Sequence, residues 1–179
     1  MNFCTDCGRK VELRIPEGDS FPRHVCTACG KVHYVNPLIV VGCVPEHEGR
    51  ILLCKRAIEP RHGYWTIPAG FMELGESMQE GAARETMEEA RARVEIHDLF
   101  AVVDVVRARQ VHMMYRASLP DGSFAAGAES LEVALFEPEQ IPWDDIAFMS
   151  VRYALEKYLE DRAAGVERLH TVVLRAPHP

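Results

Sequence analysis

Two neighbouring stretches are the most informative part of this chain: Gly70-Phe71-Met72-Glu73-Leu74-Gly75-Glu76 and Arg84-Glu85-Thr86-Met87-Glu88-Glu89. The glutamates of the second stretch stand at positions i, i+3 and i+4, so a helix would place them on one face. Like charges held this close are unfavourable unless a cation joins them, and Mg²⁺ or Mn²⁺ prefers oxygen ligands of this kind. The pattern therefore predicts a helix that carries a metal site at Glu85, Glu88 and Glu89. A solvated acidic face without metal is the alternative interpretation.

The flanking residues predict where this helix begins, where it ends and which side it buries. Ser77 followed by Glu80 forms a capping box, so the helix should begin just after Ser77. Arg91 and Arg93 would complement the C-terminal dipole of this helix, and we expect it to continue for a few residues beyond Ala90. The residues expected to face the core, on the side opposite the glutamates, are Ala83, Met87, Ala90 and Val94.

The two stretches together resemble the signature of the Nudix hydrolases, G-x5-E-x7-R-E-U-x-E-E-x-G-U, in which U is a bulky apolar residue. The chain departs from it at Thr86 and Ala92, which replace apolar residues, and at Arg91, which replaces the last glycine. The resemblance covers about residues 40–159 and implies an α/β/α sandwich with a mixed sheet, in agreement with the order of strands and helices along the chain. The matching residues are Gly70, Glu76, Arg84, Glu85, Glu88 and Glu89.

The resemblance implies hydrolysis of a diphosphate linkage in a nucleoside diphosphate joined to another group, with Mg²⁺ or Mn²⁺ as cofactor. The glutamates and the carbonyl of Ala69 or Gly70 would bind the metal, and Arg84 would hold a glutamate in position. The general base is either Glu85 or an acidic residue on a later loop, for which Glu129 is the local candidate. The implied substrates are small nucleotides such as ADP-ribose, FAD or a related dinucleotide. A ligand-sensing or nucleic-acid-binding module without catalysis is the alternative.

Side chains near the predicted metal loop are candidates for substrate contacts. Arg61 could contact phosphate or ribose, and Tyr64 and Phe71 could stack on a base. Trp65 is expected in the core. NADH pyrophosphatases also carry a zinc ribbon before a Nudix domain, but this sequence lacks their S-Q-P-W-P-F-P-x-S motif, which argues against specificity for reduced nicotinamide.

Four of the six cysteines form two C-x2-C pairs with the spacing of a structural zinc site. A glycine follows each pair and permits the tight turn that aims backbone N–H groups at sulfur. Two disulfides are the competing interpretation. The pairs predict a zinc ribbon over residues 1–34 with Zn²⁺ bound by Cys4, Cys7, Cys26 and Cys29.

Composition limits the function classes. The net charge of −7 without a dense Lys/Arg cluster disfavours nucleic acid as a partner. There is no run of 18 apolar residues and no leader at the N-terminus, so we expect a cytoplasmic protein with no membrane partner. We also expect a homodimer, in which the ribbon or the C-terminal residues contact a second copy.

The remaining pattern predicts the organisation of the chain. A catalytic domain over residues 35–163 would follow the ribbon, with strands at 94–106 and 110–118 paired to each other. Asp144 or Asp145 could open the last helix. Residues 164–179 would form a tail, in which Leu169-His170-Thr171-Val172-Val173-Leu174 is either an arm on a partner subunit or a frayed end.

Overall fold

The chain divides into two units in a computed structural model, which describes residues 1–175. The first unit covers Met1–Pro37 and the second begins at Leu38. The strand that opens the second unit also begins at Leu38, so the change of unit coincides with the start of a new sheet.

The first unit contains a small antiparallel sheet in the order β1-β2-β3. Its strands are β1 (Val11–Arg14), β2 (Arg23–Cys26) and β3 (Val32–His33). The buried apolar residues of this unit are Cys4, Val25 and Cys26, and two of these are cysteines. So small a core cannot offset the entropy of ordering the chain, so the unit needs another source of stability.

The second unit is built on a mixed sheet in the order β10-β5-β4-β9-β8-β11, with β6 paired to β5 and β7 to β4. The pairs β4/β9 and β8/β11 are parallel and the others antiparallel. The predicted pairing of the two long strands after the first helix is confirmed as β8 with β9. The strands are β4 (Leu38–His47), β5 (Arg50–Arg56), β6 (Trp65–Thr66), β7 (Ala69–Phe71), β8 (Glu95–Val105), β9 (Gln110–Ser118), β10 (Ser130–Phe136) and β11 (His170–Leu174).

One helix packs on each face of this sheet: α1 (Met78–Ala90) and α2 (Met149–Ala164). Successive residues of a strand point to opposite faces, and β4 shows this directly. Cys43 packs in one cluster with Ala82 of α1, whereas Val44 packs in another cluster with Leu155 of α2. The predicted α/β/α sandwich is therefore confirmed.

The first helix begins as predicted but ends earlier. Ser77 is the N-cap and forms the capping box with Glu80. The helix does not continue beyond Arg91, which adopts a left-handed conformation with φ 47°. The Ala90 carbonyl accepts a 2.9 Å hydrogen bond from the N–H of Ala125, in a later loop. This loop therefore supplies the hydrogen bond that a further turn of the helix would have made. Tertiary contacts thus end the helix where the signature glycine would have ended it.

The predicted core side of α1 is wrong in part. Met87 is 40% exposed, whereas Thr86 is fully buried beside Glu85 and Glu89. The Thr86 hydroxyl is satisfied because it donates to the Ala82 carbonyl at 2.8 Å and lies 3.2 Å from the Cys43 sulfur. A threonine can therefore occupy an apolar position of the signature, and the buried side of the helix includes two of the glutamates.

The end of the chain also differs from expectation. Asp144 and Asp145 lie in a short 3-10 turn before α2 and do not cap it, since its N-cap is Phe148. The segment predicted to be an arm or a frayed end forms β11, which pairs in parallel with β8 of the same chain. Residues 176–179 of the predicted tail lie outside the described residues. In the described part, neither helix has the length and apolar character needed to cross a bilayer.

A buried carboxylate anchors this last strand. Asp161 of α2 is 1% exposed. It accepts hydrogen bonds from Arg168 Nε at 3.0 Å, from Arg116 Nη2 at 2.5 Å and from the His170 ring at 2.9 Å. Because the strand is held from its first residue, β11 belongs to the sheet and can contribute to a site at its edge.

Candidate functional site

A cleft of about 1460 Å³ lies in the second unit. It is larger than the roughly 300–1,000 Å³ typical of small-molecule pockets, so it has room for a ligand with two bulky halves. Its lining includes an acidic group that consists of Glu85, Glu88, Glu89 and Glu129.

Arg84 lies at the acidic end of the cleft, which is the end where this acidic group is found, and it holds several side chains there in place. Its guanidinium donates two hydrogen bonds of 2.9 Å to the Glu76 carboxylate and one of 2.7 Å to Glu85. It also reaches Glu88 at 3.1 Å and the Phe71 carbonyl at 3.0 Å. The pKa of Glu76 is lowered to about 2, first by Arg84 and then by the Glu73 N–H. Arg84 therefore positions Glu85, as predicted, and ties the helix to the loop before it.

Glu85 and Glu89 are buried without full compensation of their charge. Glu85 is 9% exposed and Glu89 7%. Burial raises the pKa of Glu89 to about 8, although the Ala69 N–H, which donates to it at 3.2 Å, acts in the opposite direction. Burial also raises the pKa of Glu85 against the effect of Arg84. Two carboxylates with raised pKa values at one site indicate a missing positive charge.

Gly70 forms the wall opposite Glu85. A Cβ atom at this position would lie 2.4 Å from the carboxylate carbon and from both carboxylate oxygens of Glu85. A larger residue would push this carboxylate from the position in which Arg84 holds it, so glycine lets the backbone approach the carboxylate closely. Gly70 thus has a steric role in addition to the predicted carbonyl ligand.

The acidic end fits a divalent cation by the chemistry of its donors. Glu85 and Glu89 offer hard oxygen atoms that are buried beside each other, and Glu88 adds an exposed carboxylate one turn away. In the described part of the chain, the one group of three or more metal-binding side chains with all ligand atoms within 4.8 Å is the cysteine cluster. The glutamates are less convergent, since Arg84 holds both Glu85 and Glu88.

The structure brings most of the other predicted site residues to this cleft. Glu129 lines it and lies close enough to Glu85 and Glu89 to raise the pKa of each. Arg61 and Phe71 also line it. Tyr64 is not among the lining residues, because its ring packs beneath the Arg61 guanidinium at 5.2 Å. The stacking of a base on Tyr64 stays a prediction.

A close packing contact explains how Glu129 reaches the acidic end. The loop before β10 approaches the end of α1, where Gly127 donates its N–H to the Glu89 carbonyl at 2.9 Å. A Cβ on Gly127 would lie 1.7 Å from the Glu88 carbonyl oxygen. This glycine lets the loop lie directly on the helix, which places Glu129 at the rim of the site.

The sequence did not indicate a second part of the cleft, which distant segments form. Arg56 at the end of β5 lies over the Phe148 ring at 5.1 Å and is close enough to Glu89 to lower its pKa. No local motif marks these residues, because their proximity depends on how β5, β9, β11 and the start of α2 meet. The lining residues of this part include Arg56, Gln110, His112, Phe148, Val173 and Leu174.

The four paired cysteines form a second candidate site. Their sulfur atoms all lie within 4.8 Å of one another, with pairs at 3.4, 3.6 and 3.8 Å. A tetrahedral zinc with Zn–S bonds of about 2.3 Å requires S···S distances of about 3.8 Å. These distances are too long for a disulfide bond of about 2.05 Å, and all six cysteines are unbridged.

One thiol of the cysteine cluster, Cys26, has electrostatics that favour zinc binding. The backbone N–H groups of Cys29 and Ala28 lower the pKa of Cys26 to about 6, and each donates to its sulfur at 3.4 Å. They therefore favour the thiolate that zinc binds. Gly8 and Gly30 have φ 69° and 74°, which provides the predicted turn after each pair.

Comparison with known families finds one matching model for each part of the chain. Residues 2–35 match the zinc-ribbon model described as Nudix N-terminal, and residues 36–156 match the NUDIX domain model. A crystal structure of a NUDIX hydrolase from Nitrosomonas europaea is 52% identical and covers 98% of this chain and 100% of its own, with a TM-score of 0.95.

Two curated relatives are more distant. An ADP-ribose pyrophosphatase from Methanocaldococcus jannaschii is 27% identical over 61% of this chain and 67% of its own length. A NAD-capped RNA hydrolase from Photobacterium profundum is 31% identical over 76% of this chain and 49% of its own length. The chain thus spans about half to two thirds of the length of these relatives.

Proposed function

This chain belongs to the Nudix family, and we propose that it hydrolyses a diphosphate linkage in a nucleoside diphosphate joined to another group. The observation that supports this most is the burial of Glu85 and Glu89 at one end of a cleft large enough for a dinucleotide. An acidic end that lacks positive charge needs a cation, and a cation is what lets an acidic site accept the anionic oxygens of a diphosphate.

Each residue of the acidic end has a distinct role in this proposal. Glu85 and Glu89 would hold Mg²⁺ or Mn²⁺, with Glu88 supporting a second ion. A bound cation would neutralise phosphate charge and lower the pKa of a water molecule. Arg84 keeps Glu85 in position through its 2.7 Å hydrogen bond, and Gly70 leaves the space that this carboxylate occupies.

The proposed substrate is ADP-ribose, FAD or a related dinucleotide. Arg56 and Arg61 would contact phosphate or ribose oxygens, because both line the cleft. Phe71 is 50% exposed at the cleft and could stack on a base. The names of the Methanocaldococcus and Photobacterium relatives place ADP-ribose and NAD-linked compounds among the substrates to test.

A substrate panel tests this function. Purified full-length protein would be incubated with ADP-ribose, FAD, NADH, diadenosine polyphosphates, nucleotide sugars and NAD-capped RNA, with Mg²⁺ or Mn²⁺. We expect mononucleotide release from at least one dinucleotide and none after a chelator removes the divalent ion. If no compound were cleaved while one bound tightly, the ligand-sensing alternative would replace this proposal.

We propose Glu129 as the general base. Its carboxylate is exposed at the rim, near both buried glutamates, where it can accept a proton from an attacking water. Glu129→Gln should lower kcat by about 10²–10⁴-fold. Glu132→Gln is the matched control, because Glu132 is exposed and pairs with Lys55 at 3.6 Å, away from the cleft. An unchanged kcat in Glu129→Gln would leave Glu85 as the base.

For the first unit we propose a structural zinc ribbon, over about residues 1–34, that has no part in the chemistry. We also propose that the protein is a cytoplasmic homodimer. Sedimentation of the full chain and of a chain without residues 1–34 tests the second point. A monomer in both samples would exclude the dimer, and a loss of the dimer only in the shortened chain would assign it to the ribbon.

A further inference from the structure

A histidine–glutamine pair lies on the floor of the cleft. His112 and Gln110 both line the cleft from β9, and the His112 Nε2 lies 3.0 Å from the Gln110 Oε1. Because an amide oxygen can only accept, Nε2 carries the proton and Nδ1 is left as an acceptor. Burial lowers the pKa of His112 to about 4, which keeps the ring in this neutral form.

The Nε2 of His112 is hydrogen-bonded to Gln110, whereas its other ring nitrogen, Nδ1, has no partner among residues 1–175. The residue is 9% exposed. A buried acceptor without a partner is unfavourable and needs an explanation. The arrangement is explained if the task of the ring is to fix the orientation of the Gln110 amide, which is half-buried at the cleft surface.

The neighbouring strands place apolar residues around this pair. Gln110 lies beside Val105 of β8, and Val105 lies beside Leu174 of β11. In the next row His112 lies beside Val40 of β4. All five residues line the cleft, so the fixed amide is a polar group in an apolar surface that suits a planar ring.

We propose that Gln110 is a specificity-determining residue that recognises the edge of a ring bearing an N–H donor next to an acceptor, with His112 as its positioning residue. With its Oε1 held by His112, the amide offers two N–H donors and the second lone pair of that oxygen. A glutamine amide can pair in two hydrogen bonds with the adenine amine and its neighbouring ring nitrogen, and the carboxamide of nicotinamide has a similar donor and acceptor. The inference rests on the proposed nucleotide substrate, but nucleoside binding tests it without turnover.

The experiment measures nucleoside binding by NMR, with no metal present. The Gln110 side-chain N–H₂ signals are assigned by their loss in Gln110→Leu. Adenosine is compared with N6,N6-dimethyladenosine, and nicotinamide riboside with pyridine riboside, so each arm removes the donor from one source. We expect the Gln110 signals to move with at least one donor-bearing nucleoside, and Kd to rise about 3- to 10-fold when its donor is removed.

Variants separate recognition from a general effect on structure. Gln110→Leu and His112→Phe should bind both members of the discriminating pair equally, while Gln140→Leu, the same change at an exposed position outside the cleft, keeps the discrimination. The proposal is overturned if Gln110→Leu discriminates as wild type does, or if the Gln110 signals stay in place with every nucleoside at about 10 mM, well above a millimolar Kd. Neither result depends on hydrolysis, so a failure here leaves the proposed function standing.

Discussion

Glu85→Gln is expected to lower kcat by about 10²–10⁴-fold with every substrate that the wild type cleaves. The substitution keeps the size of the side chain and one oxygen for the Arg84 hydrogen bond, now 2.7 Å long, but removes the negative charge. Glu85 is 9% exposed and lies close to Glu89. Replacing its carboxylate by an amide would therefore leave Glu89 as the one buried anionic ligand of the two. The loss should appear in kcat together with weaker binding of Mn²⁺, measured by calorimetry.

The control for this experiment is Glu139→Gln, since Glu139 is exposed in a 3-10 turn and does not line the cleft. It should bind Mn²⁺ and turn over substrate as the wild type does. Circular dichroism would show that Glu85→Gln is folded. If the folded Glu85→Gln protein kept most of its metal-dependent activity, the acidic end would not be the catalytic centre.

Removal of zinc is expected to unfold the first unit. Zinc binding to four-thiolate or similar sites contributes about 10–16 kcal/mol to the folding of small domains, and Met1–Pro37 has only Val25 as a buried apolar residue besides two cysteines. Cys26→Ser, or a strong chelator, should therefore abolish amide protection in β1, β2 and β3. Amide protection in the second unit can be measured in the same NMR spectrum and should not change.

Add-back distinguishes zinc from a nonspecific effect of the chelator. One equivalent of Zn²⁺ per chain should restore protection in the wild type but not in Cys26→Ser, and metal analysis should find one zinc per chain before treatment. Full protection of these strands in metal-free protein would show that the ribbon folds on its own, which would leave the 3.4–3.8 Å spacing of its sulfur atoms without a cause.

Features written in short stretches of sequence were predicted correctly. The capping box places the start of α1 because Ser77 and Glu80 satisfy each other's backbone groups within one turn. The cysteine pairs predict a cluster because each knuckle is local and four thiols suit one zinc. Glu85 and Glu89 were placed on one helix face by their spacing alone.

Predictions that required knowledge of distant partners failed or were not made. The end of α1 at Arg91 depends on the loop at residues 125–127, whose N–H groups donate hydrogen bonds to the Glu89 and Ala90 carbonyls. The pattern of residues 169–174 predicts an arm or a frayed end, because nothing local marks their partner strand, β8, which lies about 70 residues earlier. The place of Tyr64 beneath Arg61 likewise follows from the shape of a loop that no motif describes.

Local chemistry can be predicted from the sequence: which side chains share a helix turn, which thiols form a knuckle and which backbone groups are capped. Other features can be seen only in the folded chain. Glu85 and Glu89 are buried, and Glu129 lines the same cleft. Gln110 and His112 line it together with residues of β11. The two kinds of feature differ in the range of the interactions that produce them. Capping and helical periodicity act within a few residues, whereas burial and strand register depend on segments that meet only when the whole sheet has formed.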